Sequence, residues 1–146
     1  MEINVKMLEG KKACAEGIDW LKKEFGENAE VEIETVIKTL ETQKNTKDWI
    51  FWLFETFKLS GLAKKWHENG ILKTQRNFLE GKLHGEAKQW YDNGQLKVEC
   101  NYSNGKLHGE CKEWHENGQL ALQCNFLDGK LHGKCLAWYQ DGLIRK

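Results

Sequence analysis

Over its C-terminal two-thirds the chain repeats itself every 24 residues, and that period leaves few folds open to it. Trp66, Trp90, Trp114 and Trp138 are spaced by 24, and Gly70, Gly94, Gly118 and Gly142 follow at a constant offset of four. Leu59, Leu83, Leu107 and Leu131 keep the period, as do Gly61, Gly85, Gly109 and Gly133. A fixed short period implies one supersecondary unit stacked on copies of itself, because a single unit this small cannot bury its own apolar face.

Each unit carries two turn signals. The first is Asn69-Gly70, Asn93-Gly94, Asn117-Gly118 and then Asp141-Gly142. Asn-Gly between β-prone runs predicts a two-residue type I′ hairpin loop, which needs positive φ at both central residues. The second is Gly81-Lys-Leu-His-Gly85 and its counterparts, read as a longer loop leading to the next unit. The unit is therefore strand, tight turn, strand, looser turn. The expected fold is α+β: a small N-terminal helical cap over 1–56, then an elongated antiparallel β-meander over 57–146. The hairpin units fall at about 57–80, 81–104, 105–128 and 129–146.

A two-residue loop at Asn93-Gly94 predicts the pairs Asp92–Gln95, Tyr91–Leu96, Gln89–Val98 and Ala87–Cys100. Leu96, Val98, Cys100 and Tyr102 then share an apolar, slim face with Gly85, Ala87 and Tyr91, which is the expected core side. The tryptophans fall on the opposite face, beside Lys88, Lys97 and Glu99. Either a bulge re-aims them or a row of aromatics lies on the outer surface, and the cost of exposing Trp favours the bulge. The first unit is degenerate, with Ser60 in the histidine position and Lys65 and Arg76 in core-side columns. Atypical end units suit an open array. Leu143-Ile-Arg-Lys146 reads as a short edge strand blunted by basic residues.

Upstream, Cys14, Ile18, Leu21 and Phe25 form one helical stripe, with Gly26 placed to end the helix. Val36, Ile37 and Leu40 suggest a second helix. Asp48 is placed to N-cap a third, Trp49 to Phe54, apolar nearly all round and therefore buried.

Lys plus Arg equals Asp plus Glu at 22 each, so no basic excess marks a nucleic-acid binder or gives an anionic membrane a field to act on. The longest apolar run, Trp49 to Phe54, falls far short of the ~20 residues of a membrane span. Five cysteines, an odd number with no secretory signal ahead of them, point to free thiols in a reducing cytoplasm.

The columns Gly-x-x-x-x-Trp-Tyr/His-x-Asn-Gly-x-Leu resemble the variant MORN repeat over roughly 57–146, returning four times in phase. One bacterial group with such arrays is the YwqK-type antitoxin family. That resemblance implies binding and neutralisation of a protein toxin. The segments Ala13-Cys-Ala-Glu-Gly-Ile-Asp-Trp-Leu21 and Asp48-Trp-Ile-Phe-Trp-Leu53 are similar to a short module of bacterial and phage repeat proteins.

His84, His108 and His132 form one column whose members stand two strands apart, about 9.6 Å, too far to share one metal ion. They are read as loop-stabilising, and no metal or cofactor is expected. His67 and His115 alternate with Tyr91 and Tyr139, an exchange that favours packing. The register sets Cys111 opposite Cys124, a cross-strand thiol pair that fits packing as well as redox chemistry, since Ala87 fills the same column one unit earlier. No nucleophile elbow, phosphate loop or paired-Cys zinc motif occurs, so no enzyme activity is expected. The leading expectation is a protein-binding module that contacts a toxin or effector through Trp90, Trp114, Trp138, Tyr91 and His115. The alternatives are a phage or host-interaction factor using the same surface, a metal- or redox-responsive protein built on the cysteine columns, and self-association through an open sheet edge.

Overall fold

The structure, a computed structural model, describes residues 2–3, 7–8, 15–26, 30–42 and 49–145. The chain divides into two compact units, Met1–Ile50 and Phe51–Lys146. In the first, β1 (Glu2–Ile3) pairs with β2 (Val31–Glu32), and two helices follow the predicted stripes. Helix α1 (Ala15–Phe25) buries Leu21, and Gly26 ends it at φ 97° with its N–H on the Lys22 carbonyl at 2.9 Å. This left-handed stop favours glycine. Helix α2 (Ile33–Thr42) buries Ile33, Val36 and Leu40, the i, i+3, i+7 spacing of one helical face. Trp20 packs against Phe25 edge-on at 5.9 Å and against Trp49 at 5.6 Å. The capping role expected of Asp48 and the place of Cys14 on the α1 stripe lie outside the described residues.

Helix α3 (Trp49–Thr56) contains the boundary, and from Phe51 on it belongs to the second unit. That unit is one antiparallel meander in which each strand pairs with the next: β3 (Gly61–Trp66), β4 (Leu72–Leu79), β5 (Lys82–Trp90), β6 (Leu96–Ser103), β7 (Lys106–Trp114) and β8 (Leu120–Leu127). Two short strands, β9 (Lys130–Leu131) and β10 (Leu136–Ala137), both pair with β8. The C-terminal edge strand is reduced to a bridge between Trp138 and Ile144, with the Arg145 N–H on the Ala137 carbonyl at 2.8 Å.

The two turns of each unit exchange the roles expected of them. Glu80-Gly81, Asn104-Gly105 and Asp128-Gly129 have positive φ at both residues, between 49° and 83°. They join Leu79 to Lys82, Ser103 to Lys106 and Leu127 to Lys130 as two-residue loops, so the type I′ turn is here. The Lys-Leu-His-Gly segments are consequently strand, and the longer loop expected over Gly81–Gly85 is corrected to the first half of β5. At the Asn-Gly site only the glycine is left-handed, Gly94 at φ 86°. The Gly94 N–H reaches the Tyr91 carbonyl at 3.0 Å and the Tyr91 N–H the Gln95 carbonyl at 2.9 Å. This is a four-residue turn closed by a left-handed glycine, one residue longer than the expected loop.

That extra length shifts the register at its mouth. Ala87–Cys100 and Gln89–Val98 pair as predicted and Gly85 faces Tyr102, but Leu96 faces Trp90 rather than Tyr91, with Lys97 the extra residue. The same bulge precedes Trp66 and Trp114. A second irregularity lies at Gly85 (φ 79°), where Asn77 alone opposes three residues of β5. The Asn77 side-chain amide fills the gap by donating to the Glu86 carbonyl at 2.8 Å.

The repeat core sits under α3. Phe78 is buried at 5.1 Å from the Phe54 ring and 6.4 Å from the Phe51 ring, and Ala63 beside it is fully buried. Arg76, an apparent misfit in a core-side column, lies with its guanidinium 4.2 Å from the Phe51 ring centre. A cation over an aromatic face lets the charge stay in that column.

Candidate functional site

Alternation along the strands gives the sheet two unlike faces. One carries a cross-strand column, Ala63, Arg76, Ala87, Cys100, Cys111 and Cys124, each the register partner of the next. The aromatic column Phe78, Tyr102 and Phe126 runs beside it. Cys100, Cys111 and Cys124 are buried. The sulfurs are bonded as Cys100–Cys111 and Cys124–Cys135, with Cα–Cα separations of 4.1 and 4.3 Å. Cys111 does stand opposite Cys124, but the sulfur of each is turned to its other neighbour. Cys111 and Cys124 each have a cysteine on either side, and spacing alone does not choose between them.

The other face carries an ion-pair ladder. Lys88 lies 2.9 Å from Glu86 and 3.0 Å from Glu99, and Lys112 lies 2.6 Å from Glu110. The hydrogen bond from Lys88 holds the Glu86 carboxyl below its ordinary range, and the hydrogen bonds Lys88 makes to Glu86 and then Glu99 raise Lys88. Lys112, then Gln123, lowers Glu110. These groups are largely solvated, so they define a charged relief and add little stability.

The tryptophans stand on this ladder face. Trp90 follows Lys88 by two residues in an unbroken strand, as Trp114 follows Lys112, so each pair shares a face. The bulge therefore does not re-aim the tryptophan. It acts on the partner strand: Leu96 joins Trp90 on one rung, while the Lys97 ammonium lies 5.2 Å from the Tyr91 ring on the far side. Trp66–Leu72, Trp90–Leu96 and Trp114–Leu120 are equivalent rungs, all half-buried, and Trp138–Ile144 continues the row.

Tyr91 and His115, expected to contact a partner, spend their polar ends inside the array. Nε2 of His67 donates to the Trp90 carbonyl at 2.9 Å, the Tyr91 hydroxyl to the Trp114 carbonyl at 2.8 Å, and Nε2 of His115 to the Trp138 carbonyl at 3.0 Å. Tyr and His alternate in this column because either presents a donor at that reach. The turn asparagines do the same one step further out. Asn69, Asn93 and Asn117 donate to the carbonyls of Asp92, Glu116 and Gln140, at 2.7, 3.3 and 2.9 Å. Their Oδ1 atoms accept the N–H two residues on. Asp141 keeps only that acceptor role, toward Leu143 at 3.0 Å. Spacing did not reveal this staple, although the constant Tyr/His and Asn columns carried its signal.

The staple is testable. Tyr91→Phe is expected to lower stability by about 0.5–1.5 kcal/mol, the usual worth of one hydrogen bond. Tyr139→Phe, at a ring 52% exposed, is expected to change it by less than about 0.5 kcal/mol. Urea unfolding of both variants checks the difference.

His84 and His108 lie in strands rather than loops, and His108 Nδ1 is 3.4 Å from the exposed carboxylate of Asp128. The sheet carries two hollows. One, of about 360 Å³, is lined by His67, Thr74, Gln89, Trp90, Tyr91 and Lys97. The other, of about 120 Å³, lies between Arg76, Ala87, Val98, Cys100 and Tyr102. No helix among the described residues is long and apolar enough to cross a membrane.

Comparison with known proteins agrees with this geometry. The MORN repeat variant matches residues 59–80, 83–104 and 107–128, and the MORN repeat matches 125–144. Those segments coincide with the hairpins β3–β4, β5–β6 and β7–β8 and the partial unit after them. Among curated proteins none matches the chain. MORN repeats are repeat modules associated with binding proteins or membranes. With more than half of its residues in such units, this chain belongs to the MORN-repeat family.

Proposed function

We propose that the repeat array binds another protein through its ladder face, with Trp90, Trp114 and Trp138 as the aromatic contacts. The observation that carries this reading is the recurrence of half-buried Trp–Leu rungs on a face flanked by ion-paired Lys and Glu. Protein contacts of high energy are commonly aromatic anchors surrounded by a polar rim. Tyr91 and His115 serve that face from behind, fixing the backbone of the tryptophan in the next unit. In its specific form the function is that of an immunity or antitoxin protein, which neutralises a toxic partner by covering it. Support for that form comes from the resemblance of the repeat columns to the YwqK-type family and from a surface suited to binding.

The test is a double substitution, Trp90→Ala with Trp114→Ala, in the full chain. Native circular dichroism with at least a tenfold loss of affinity for the captured partner is expected, about 1.4 kcal/mol or more. Growth arrest caused by that partner should be relieved by the wild-type chain and not by the variant. Undiminished binding by a folded variant would discard the ladder face. Binding without any toxicity to neutralise would discard the antitoxin form and leave the binding module.

A further inference from the structure

We propose that the cysteine column is a thiol–disulfide relay, by which a small thiol entering at Cys135 releases a free thiol at Cys100. Four cysteines occupy adjacent rungs, and the two disulfides leave one neighbouring pair, Cys111 and Cys124, in register but unbonded. Cross-strand Cβ atoms sit about 4.5–5.5 Å apart, so rotation about one side-chain bond turns a sulfur from one neighbour to the other. Access is unequal along the row. Cys135 is exposed, whereas Cys100, Cys111 and Cys124 are 4%, 7% and 2% exposed. A dissolved thiolate therefore reaches the Cys124–Cys135 bond at the Cys135 sulfur and is kept from the Cys100–Cys111 bond.

The steps balance as ordinary exchange. An external thiolate attacks Cys135 Sγ, forming a mixed disulfide there and expelling Cys124 as thiolate. Cys124 Sγ attacks Cys111 Sγ, so the Cys111–Cys124 bond forms, the Cys100–Cys111 bond breaks, and Cys100 leaves as thiolate and takes a proton from water. A second external thiolate attacks its counterpart in the mixed disulfide, freeing Cys135 and leaving the oxidised small disulfide. Two thiols have given up two electrons, and the second reduced sulfur has appeared three cross-strand steps from the point of entry.

The oxidised full chain is treated with glutathione, acid-quenched at intervals, alkylated with N-ethylmaleimide and digested with trypsin. Cleavage after Lys97, Lys106, Lys112, Lys130 and Lys134 puts Cys100, Cys111, Cys124 and Cys135 on separate peptides, apart from Cys14. The expected early product carries label at Cys100 and Cys135 and a disulfide joining the Cys111 and Cys124 peptides. Label at Cys124 and Cys135 with the Cys100–Cys111 link retained would overturn the relay, as would four free thiols before any reductant is added. In Cys124→Ala, labelling of Cys100 is expected to slow about tenfold or more, since the attacking sulfur is gone. Ala63 and Ala87 already occupy this column, so the substitution suits the fold. Labelling of Cys100 at the wild-type rate in that variant would show direct reduction and end the proposal.

Discussion

Gly81→Ala is expected to destabilise the repeat unit by about 2–5 kcal/mol, well beyond the effect of the same change at Gly105 or Gly129. The three glycines are equivalent in sequence and share a left-handed conformation, at φ 76°, 82° and 83°. That conformation alone makes alanine cost about 1–2 kcal/mol at each. Only Gly81 has the end of α3 pressed onto it. A Cβ there would lie 2.8 Å from Lys58 Cα, 2.9 Å from the Glu55 carbonyl oxygen and 3.0 Å from that of Phe54. These are backbone atoms of a helix terminus, so no side chain can swing aside, and overpacking adds about 1–3 kcal/mol. At Gly105 nothing lies within 4 Å. Denaturation midpoints of Gly81→Ala and Gly105→Ala, measured side by side, isolate the seating of α3 from the cost of the turn. Equal losses in the two would mean that the helix does not rest there.

Phe78→Ala is expected to cost about 3–5 kcal/mol, the range for deleting a buried aromatic ring. Phe78 is 4% exposed between the rings of Phe51 and Phe54, and the cavity left behind would be walled by a helix and a sheet that cannot both close on it. Phe126 occupies the same column two units on and is only half-buried, so Phe126→Ala is expected to cost roughly 1–2 kcal/mol. Thermal unfolding that placed the two variants together would deny α3 its part in the core. A loss confined to Phe78 would show that the first unit is held by its helix, and the later units by neighbour-to-neighbour pairing.

The positions of those two residues show how far reading the chain can go. The period of 24, the order of the hairpins and the pairs Ala87–Cys100 and Gln89–Val98 were legible because alternation and period are properties of the chain itself. The turns were not. Asn93-Gly94 and Asn104-Gly105 are the same dipeptide, yet only the second is a two-residue loop. Asn93 instead spends its side chain on Gln95 and on Glu116 of the next unit, and those partners exist only after the units stack. The face of the tryptophans followed from simple alternation, and the bulge altered Leu96 and Lys97 rather than Trp90.

The candidate residues divide in the same way. Their recurrence singled out Trp90, Trp114, Tyr91 and His115, but recurrence is equally the mark of a contact between repeats. Tyr91 and His115 proved to have their polar atoms on backbone carbonyls of the following unit. The cysteine row was visible as a column, whereas its bonding as Cys100–Cys111 and Cys124–Cys135 depends on which way each sulfur turns. Arg76 in a core column looked like degeneracy until the Phe51 ring was found over it. By itself the sequence determined the repeat, its period and its alternating faces, because these follow from local propensity and spacing. Tertiary structure decided which turn is tight, which donors staple the units and which sulfurs bond, because each depends on a neighbour distant in sequence.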